Sequence, residues 1–180
     1  MEEIIMGINM QESKWPSLSA LISYIEQSHH VFTREALAHI KILFNSRKTA
    51  GVTEPDDIRC CFEKLEADLT PHLAKEERIL FPYIVALESN PAQPPASCFG
   101  SVANPVRMMG IEHHGVKEIL EQLRELTANY QPPREGDSDV FALYSALAKL
   151  DNDLVEHIHL EDDVLFPQAL ELERNISRHE

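Results

Sequence analysis

An eleven-residue pattern that occurs twice constrains this chain more than any other feature of its sequence. The first copy runs from His72 to Pro82, and the second runs from His157 to Pro167. Both copies have histidine at position 1, glutamate at position 5, an acidic residue at position 6 and Leu-Phe-Pro at the end. Because 3.6 residues make one helical turn, the histidine and the glutamate of each copy would lie on one helical face. The pattern therefore predicts two halves of one metal site.

Helical periodicity accounts for most of the remaining sequence. Apolar residues recur at steps of three and four, and proline, glycine and asparagine interrupt the pattern. Four segments follow this rule, over residues 17–49, 58–86, 101–129 and 137–172. No stretch keeps the apolar–polar alternation of a strand. The sequence predicts an all-α fold, an antiparallel up-down four-helix bundle with a short N-terminal arm or helix.

Two details of the helical pattern lead to further structural predictions. In the first segment, a break between Gln27 and His30 would divide one long helix into a short helix and a long one. Val31 continues the apolar stripe of that segment, and Ile79 and Val164 continue the stripes of the two repeats. We expect these three apolar residues to face the core.

Length and charge limit the classes of function. A chain of 180 residues is most simply one domain, which we divide into an N-terminal arm at 1–16, a bundle at 17–175 and a C-terminal tail at 176–180. The net charge of −14 argues against binding to a nucleic-acid backbone. The sequence has no apolar run of about 20 residues and starts without a basic segment. We therefore expect a soluble, cytoplasmic protein with no nucleic-acid or membrane partner.

The helical period sorts most of the histidines into core and surface positions. On the third predicted helix, His113 lies within an apolar stripe, whereas His114 shares a face with charged residues. On the fourth predicted helix, His157 lies on the stripe that continues to Glu161, whereas His159 lies on a polar face. The prediction therefore places His113 and His157 in the core.

The first predicted helix offers two candidate histidines. His30 lines up with Leu37 at helical spacing, and His29 lines up with Ala36. Both are similarly distant from the first copy of the repeat, so neither spacing nor periodicity chooses between them. His39 and His179 match no such pattern, and we interpret them as surface residues.

Imidazoles and carboxylates at core positions of one bundle favour a bound cation. A carboxylate there costs several kcal/mol unless it is paired, protonated or bound to metal. Four nitrogens and two carboxylates are too many for one tetrahedral zinc ion and too rich in nitrogen for calcium or magnesium. They suit two first-row ions, with iron as the leading candidate and manganese or a mixed pair as alternatives. Room is left for a bridging oxide or hydroxide and for a small ligand such as O2, NO or peroxide.

The motifs H…HLAKEERILFP…EHH…HIHLEDDVLFP resemble the haemerythrin-like (HHE cation-binding) domain, and within that group the di-iron domain of the repair-of-iron-centres family. The similarity extends from Tyr24 to Leu170. It implies six metal ligands, with the two glutamates as bridges, at His30, His72, Glu76, His113, His157 and Glu161. The resemblance thus selects His30 rather than His29.

The resemblance also implies a function. A di-iron protein of this family would act in the response to nitrosative or oxidative stress, helping to repair iron-sulfur clusters or handling NO or O2. Its partners would be a diatomic ligand and iron-sulfur proteins as clients. The alternatives are a carrier or sensor of O2 or NO without turnover, an iron store, and a structural bundle that binds cations incidentally. Oligomeric state and turnover stay open.

Full-length members of that family carry an N-terminal domain with two adjacent cysteines, whereas about fifteen residues precede the first predicted helix here. Cys60 and Cys61 are adjacent but lie inside the predicted bundle, so we do not equate them with that motif. We interpret them as small, partly buried residues, with a redox or metal-handling role as the alternative.

Overall fold

The computed structural model of the chain describes residues 15–49, 56–90, 96–134 and 138–178. These residues form four long helices, over residues 18–49, 56–89, Ala103–Leu126 and 138–177. The described residues contain no strand. The predicted all-α four-helix bundle is therefore confirmed. Residues 1–14 of the predicted N-terminal arm lie outside the part of the chain that is described.

Three of the four helices change from α-helical to π-helical backbone and back again. The π-helical segments are Ile25–His30, Glu76–Leu80 and Leu160–Leu165. The α-helical parts on either side of them are Leu18–Tyr24 and Val31–Thr49, Asp56–Lys75 and Phe81–Ser89, and Ser138–His159 and Phe166–Ser177. A π-helical turn bonds residue i to residue i+5 and is frequently found at functional sites. Each π segment here contains one predicted ligand.

The π segments correct three details of the sequence prediction. The first helix does not break between Gln27 and His30, because its backbone stays helical through the π segment and continues at Val31. The wider turn also changes which side chains follow on the core face. Val31 is 45% exposed and Ile79 is 48% exposed, so the prediction that they face the core is wrong. Val164 is half-buried and packs against the core.

Three helices end at positions other than those predicted, and the second helix ends at Ser89 rather than at residue 86. The third helix ends at Leu126 because Ala128, Asn129 and Tyr130 adopt φ values of 49°, 58° and 60°. These values lie in the left-handed region, which a right-handed helix of L-residues cannot use. The fourth helix extends to residue 177, beyond the predicted end at 172, and buries Ile176 against the core.

Two apolar clusters fill the interior, one towards each end of the bundle. One cluster is built around Phe44 and Phe62, and the other around Phe81 and Phe166. The first helix packs mainly against the fourth, and the second packs mainly against the third. The buried imidazoles and carboxylates lie between the two clusters, in surroundings of low polarity where electrostatic interactions are strong.

Two glutamates cap helix starts at one end of the bundle. Glu88, near the end of the second helix, accepts hydrogen bonds from the backbone N–H groups of Leu18 (2.7 Å) and Ser19 (2.9 Å) at the start of the first. Glu173, near the end of the fourth helix, accepts one from the backbone N–H of Val102 (2.8 Å), immediately before the third. Both carboxylates lie at the positive end of a helix dipole and bind N–H groups that would otherwise have no partner.

Candidate metal centre

All six predicted ligands are buried at the middle of the bundle. The first and third helices contribute one histidine each, and the second and fourth contribute one histidine and one glutamate each. The residues are His30, His72, Glu76, His113, His157 and Glu161. The fold therefore brings together side chains that lie as much as 131 positions apart in the sequence.

The six side chains form two groups of four that share both glutamates. In each group, one ligand atom from every residue lies within 4.8 Å of all the others. One group adds His72 and His113 to the two glutamates, and we call it the His72–His113 position. The other adds His30 and His157, and we call it the His30–His157 position. Two adjacent ions with two common carboxylates would require this arrangement of ligands.

The histidine nitrogens of each position face each other at ligand spacing. His72 Nε2 lies 3.1 Å from His113 Nε2, and His30 Nε2 lies 3.2 Å from His157 Nε2. Two nitrogens that bind one first-row ion at about 2.1 Å and at right angles are about 3 Å apart. Both imidazole pairs are therefore spaced to share an ion.

Each glutamate directs one oxygen towards each histidine pair. Glu76 Oε1 lies 3.4 Å from His72 Nε2, and Glu76 Oε2 lies 3.5 Å from His30 Nε2. Glu161 Oε2 lies 3.2 Å from His113 Nε2, and Glu161 Oε1 lies 3.1 Å from His157 Nε2. Both carboxylates are therefore placed to bridge the two positions.

The donor atoms at this site fit metal cations on chemical grounds. Both oxygens of Glu76 and Oε2 of Glu161 are buried and have no hydrogen-bond partner among the described residues. Burying a carboxylate without compensation costs several kcal/mol, and positive ions in contact with these oxygens would remove that cost. Oxygens in these surroundings therefore fit a cation rather than an apolar or anionic group.

In the metal-free protein, the two glutamates differ in their affinity for a proton. Burial and the neighbouring Glu161 carboxylate raise the pKa of Glu76 well above its usual range. Burial would also raise the pKa of Glu161, but His157 and His113 outweigh it and hold the pKa well below its usual range. The pair therefore keeps one proton on Glu76 and one negative charge on Glu161.

The two histidines of the His72–His113 position are shifted in opposite directions. Burial disfavours a charged His113, but the hydrogen bond to Asp162 and the nearby negative charge of Glu161 outweigh burial and raise the pKa of His113 to about 9. Burial and the positive charge on His113 lower the pKa of His72 to about 4, although Glu112 opposes that change. One proton is therefore held on His113, close to the nitrogen that would bind metal.

Three acidic residues that the sequence analysis did not assign stand behind the histidines. His30 Nδ1 donates to Glu77 at 2.8 Å, His72 Nδ1 to Glu112 at 2.8 Å, and His113 Nδ1 to Asp162 at 2.7 Å. A cationic side chain also binds each of these carboxylates. The pairs are Arg34 with Glu77, Lys75 with Glu112, and Lys117 with Asp162. A carboxylate on Nδ1 leaves Nε2 free as a metal ligand and fixes the orientation of the ring.

The sequence contains the signal that would have identified these acids. Glu77 and Asp162 occupy the acidic position 6 of the two repeats, directly after the predicted ligands Glu76 and Glu161. Glu112 directly precedes His113. The acidic position was visible in the repeat, but its role depends on contacts across helices that periodicity does not show.

His157 departs from the arrangement around the other three histidines. Its Nδ1 is buried and has no hydrogen-bond partner among the described residues. The His29 ring lies parallel to the His157 ring, with 5.5 Å between their centroids and 10° between their planes. His29 Nδ1 instead pairs with Asp153 Oδ1 at 3.0 Å. His29 is thus buried beside the cluster but belongs to neither group of four ligands.

The remaining histidines and cysteines that are described lie away from the cluster. His114 is 76% exposed and His159 is also exposed, as the helical period predicts. His39 is exposed too, in agreement with its interpretation as a surface residue. His179 lies outside the described residues. Cys60 is exposed and Cys61 is half-buried, so the expectation of partial burial holds for Cys61 alone.

A cleft on the surface leads towards the His72–His113 position. It has a volume of about 270 Å³ and lies between the second and third helices. Asp68, His72, Lys75 and Glu112 line it, together with Pro71, Gly115 and Val116. Because His72 is a predicted ligand, this cleft connects the surface to the outer edge of the cluster.

Comparison with known protein families points to the same chemistry. A model described as the Hemerythrin HHE cation binding domain matches residues 20–169, a range that contains all six predicted ligands.

Among the described residues, none of the helices combines the length and apolar character that a membrane crossing requires.

Curated relatives include several proteins named iron-sulfur cluster repair protein YtfE. The protein from Musicola paradisiaca is 36% identical over 168 residues, which cover 88% of this chain and 69% of the relative. Those from Yersinia pseudotuberculosis and Edwardsiella ictaluri are 35% and 33% identical over 157 and 156 residues, which cover 85% of this chain and 66% of each relative. This chain thus spans about two thirds of the length of these relatives.

Proposed function

This chain belongs to the haemerythrin HHE cation-binding family, and from that premise we propose that it is a non-haem di-iron protein that supports the repair of iron-sulfur clusters. The proposed ligands are the six buried residues, with Glu76 and Glu161 as bridges. Two irons would each have two histidine nitrogens and one oxygen from each glutamate. Manganese or a mixed pair is the alternative metal content.

One observation carries this proposal: the two groups of four ligands overlap in both glutamates. A site for a single ion would need no second pair of histidines, and two separate sites would not share carboxylates. Four imidazoles with two carboxylates match the ligand preference of first-row ions such as iron. The geometry thus supports a pair of ions rather than one ion or two remote ones.

The protein's own residues would hold and protect this pair. Iron supplies Lewis acidity and one-electron redox chemistry when it is bound. Glu77, Glu112 and Asp162 orient three of the imidazoles through Nδ1. The apolar clusters around Phe81 and Phe62 limit the access of water from both ends of the bundle. The cleft beside His72 and Glu112 leaves one approach from the surface.

The repair role is proposed from the relatives, whose name states that they repair iron-sulfur clusters. A protein of this kind would supply iron to damaged clusters, so iron-sulfur proteins would be its clients. The cleft beside His72 offers a route by which an ion or a small ligand such as NO or O2 would pass. We propose a location in the cytoplasm, where such clients are found.

A second function is favoured by the burial of the site. The six ligands are almost completely enclosed, so only a diatomic molecule or an ion would reach them without a large movement of the helices. Reversible binding of O2 or NO, in a carrier or sensor, needs no more access than this. An iron store would need the same ligands and no client.

Anaerobic purification followed by metal analysis and spectroscopy would test the proposal. We expect two irons per chain, a spectral change with NO or O2, and restoration of a damaged iron-sulfur enzyme when the iron-loaded protein is added. Stoichiometric zinc without iron, after growth with ample iron, would overturn the di-iron assignment. Two irons with a stable, reversible O2 adduct and no restoration of the enzyme would favour the carrier.

A further inference from the structure

We propose that the two metal positions are unequal, so that the His72–His113 position holds its ion more tightly and the His30–His157 position empties first. This inference rests on the proposed two-ion site. It adds a residue, His29, whose identity weakens one half of that site. The inequality would also identify which of the two ions the protein releases first.

The inequality arises from the atoms behind the ligand nitrogens. At the His72–His113 position, both Nδ1 atoms contact carboxylates, Glu112 at 2.8 Å and Asp162 at 2.7 Å. At the His30–His157 position, only His30 has such a partner, Glu77 at 2.8 Å. His157 Nδ1 is buried and, within the described part of the chain, has no acceptor from the protein.

An acceptor on Nδ1 affects how strongly an imidazole binds metal. A neutral histidine that binds an ion through Nε2 carries its proton on Nδ1. A carboxylate that accepts this proton fixes the tautomer, orients the ring and makes Nε2 a stronger ligand. Loss of such a partner typically lowers metal affinity by about 10- to 100-fold. His157 therefore lacks a contribution that His72 has.

The cause is one residue at equivalent places in the two halves of the chain. Glu112 directly precedes the ligand His113, and His29 directly precedes the ligand His30. Glu112 reaches across to His72 of the first repeat. His29 lies beside His157 of the second repeat, but its ring is parallel to the His157 ring and its Nδ1 is paired with Asp153. An imidazole thus occupies the place where the other half has a carboxylate.

The positively charged residues around the site also differ between the two metal positions. Lys75 holds the outer oxygen of Glu112, and Lys117 holds that of Asp162 at 3.0 Å. Arg34 holds Glu77 at 2.8 Å. His157 has no corresponding chain of carboxylate and cation among the described residues, and Asp153 Oδ2, next to His29, also lacks a partner. The ring of His157 is therefore the least constrained of the four.

Titration of the metal-free protein with Fe(II) under anaerobic conditions would test this inference, with a competing chelator to measure both affinities. We expect two binding steps that differ by about 10- to 100-fold. His157→Ala should keep the tight step and lose the weak one, whereas His72→Ala should lose the tight step. The opposite assignment would overturn the inference.

Two substitutions address the Nδ1 partner without removing a ligand. Glu112→Gln, at a half-exposed position, should weaken the tight step by about tenfold or more and bring the two steps together. His29→Gln places an amide oxygen near His157 Nδ1 and should strengthen the weak step, whereas the control His29→Leu should not. Far-ultraviolet circular dichroism verifies that each variant keeps its helices.

The outcomes separate this inference from the di-iron proposal. Two Fe(II) ions that bind with equal affinity, or affinities that neither Glu112→Gln nor His29→Gln changes, would overturn the inequality and leave the two-ion site intact. Binding of one ion or none by the unmodified protein would overturn the di-iron proposal itself.

Discussion

The first and third helices each deliver one histidine to the cluster, but they do so in different ways. The third helix is α-helical over Ala103–Leu126, and of its adjacent pair His113 is buried while His114 is 76% exposed. The first helix is π-helical over Ile25–His30, and both members of its adjacent pair are buried. A regular helix thus separates two neighbouring residues onto different faces, whereas a π segment here keeps two neighbours inside.

That contrast explains why one histidine was easy to assign and the other was not. Adjacent residues on an α-helix are about 100° apart, so the apolar stripe identifies His113. In the first helix the stripe passes through a segment with a different period. Periodicity there supports His29 and His30 equally, and both are indeed in the interior. Only the positions of their ring nitrogens distinguish the proposed ligand from its neighbour.

Removal of a proposed ligand from either helix has the largest expected effect. His30→Ala and His113→Ala should each bind at most one iron per chain, because each loses half of the nitrogen donors at one position. Metal analysis by mass spectrometry after anaerobic reconstitution measures this. His114→Ala is the matched control and should bind two irons. If His29→Ala empties the site and His30→Ala does not, the assignment on the first helix is wrong.

Removal of the metal should affect the first helix more than the third. Ligand binding at a free concentration of about 100 times Kd stabilises the folded state by about 2.7 kcal/mol, so the metal-free protein should unfold at a lower temperature. The backbone amides of the π segment Ile25–His30 should then exchange hydrogen faster relative to those around His113. Hydrogen-exchange mass spectrometry with and without iron checks this, and equal changes in both helices would contradict it.

The third-helix histidine should make metal binding depend on pH. The pKa of His113 is raised to about 9, so an ion must displace a proton from it at any lower pH. Affinity for Fe(II) should therefore rise at least about tenfold per pH unit between about pH 6.5 and 9, since each displaced proton changes the affinity by that factor. Glu76, whose pKa is also raised, adds to the same trend. Asp162→Asn should flatten the profile, and a flat profile in the unmodified protein would exclude this proton from the binding step.

The smallest expected effect concerns the second buried histidine of the first helix. His29→Leu removes the hydrogen bond between His29 and Asp153, and we expect a loss of about 1 kcal/mol in the free energy of unfolding. Iron content should stay at two per chain. His39→Leu, on the same helix at an exposed position, should change neither quantity. Urea denaturation measures the stability, and loss of iron in His29→Leu would show that His29 is a ligand.

Sequence reasoning recovered the parts of the fold and of the site that follow from regular periodicity. The four helices and the burial of His113 follow from apolar residues at steps of three and four. The π segments could not be predicted, because no residue type in Ile25–His30 or Glu76–Leu80 distinguishes them from α-helix. The exposure of Val31 and Ile79 was missed for the same reason.

The surroundings of the site could be predicted only in part. The acidic residue that follows each glutamate was visible in the repeat, but not that Glu77 would bind His30 and Asp162 would bind His113. These contacts join different helices, and the sequence of one helix does not give its rotation relative to another. The asymmetry between Glu112 and His29 likewise becomes meaningful only once both are seen beside the repeat histidines.

The glutamate caps at one end of the bundle also determine where the metal ligands lie along the bundle axis. Glu76 lies twelve residues before Glu88, and His30 lies twelve residues after Leu18, which Glu88 caps. In the other half, Glu161 lies twelve residues before Glu173. There Glu173 caps Val102, and His113 lies eleven residues after it. Both antiparallel pairs therefore start from a capped end, and equal or nearly equal lengths of chain bring the histidine and the glutamate of each pair to one level. Because each helical residue adds about 1.5 Å, one inserted residue on either side of a cap would move a ligand by most of a metal–ligand bond.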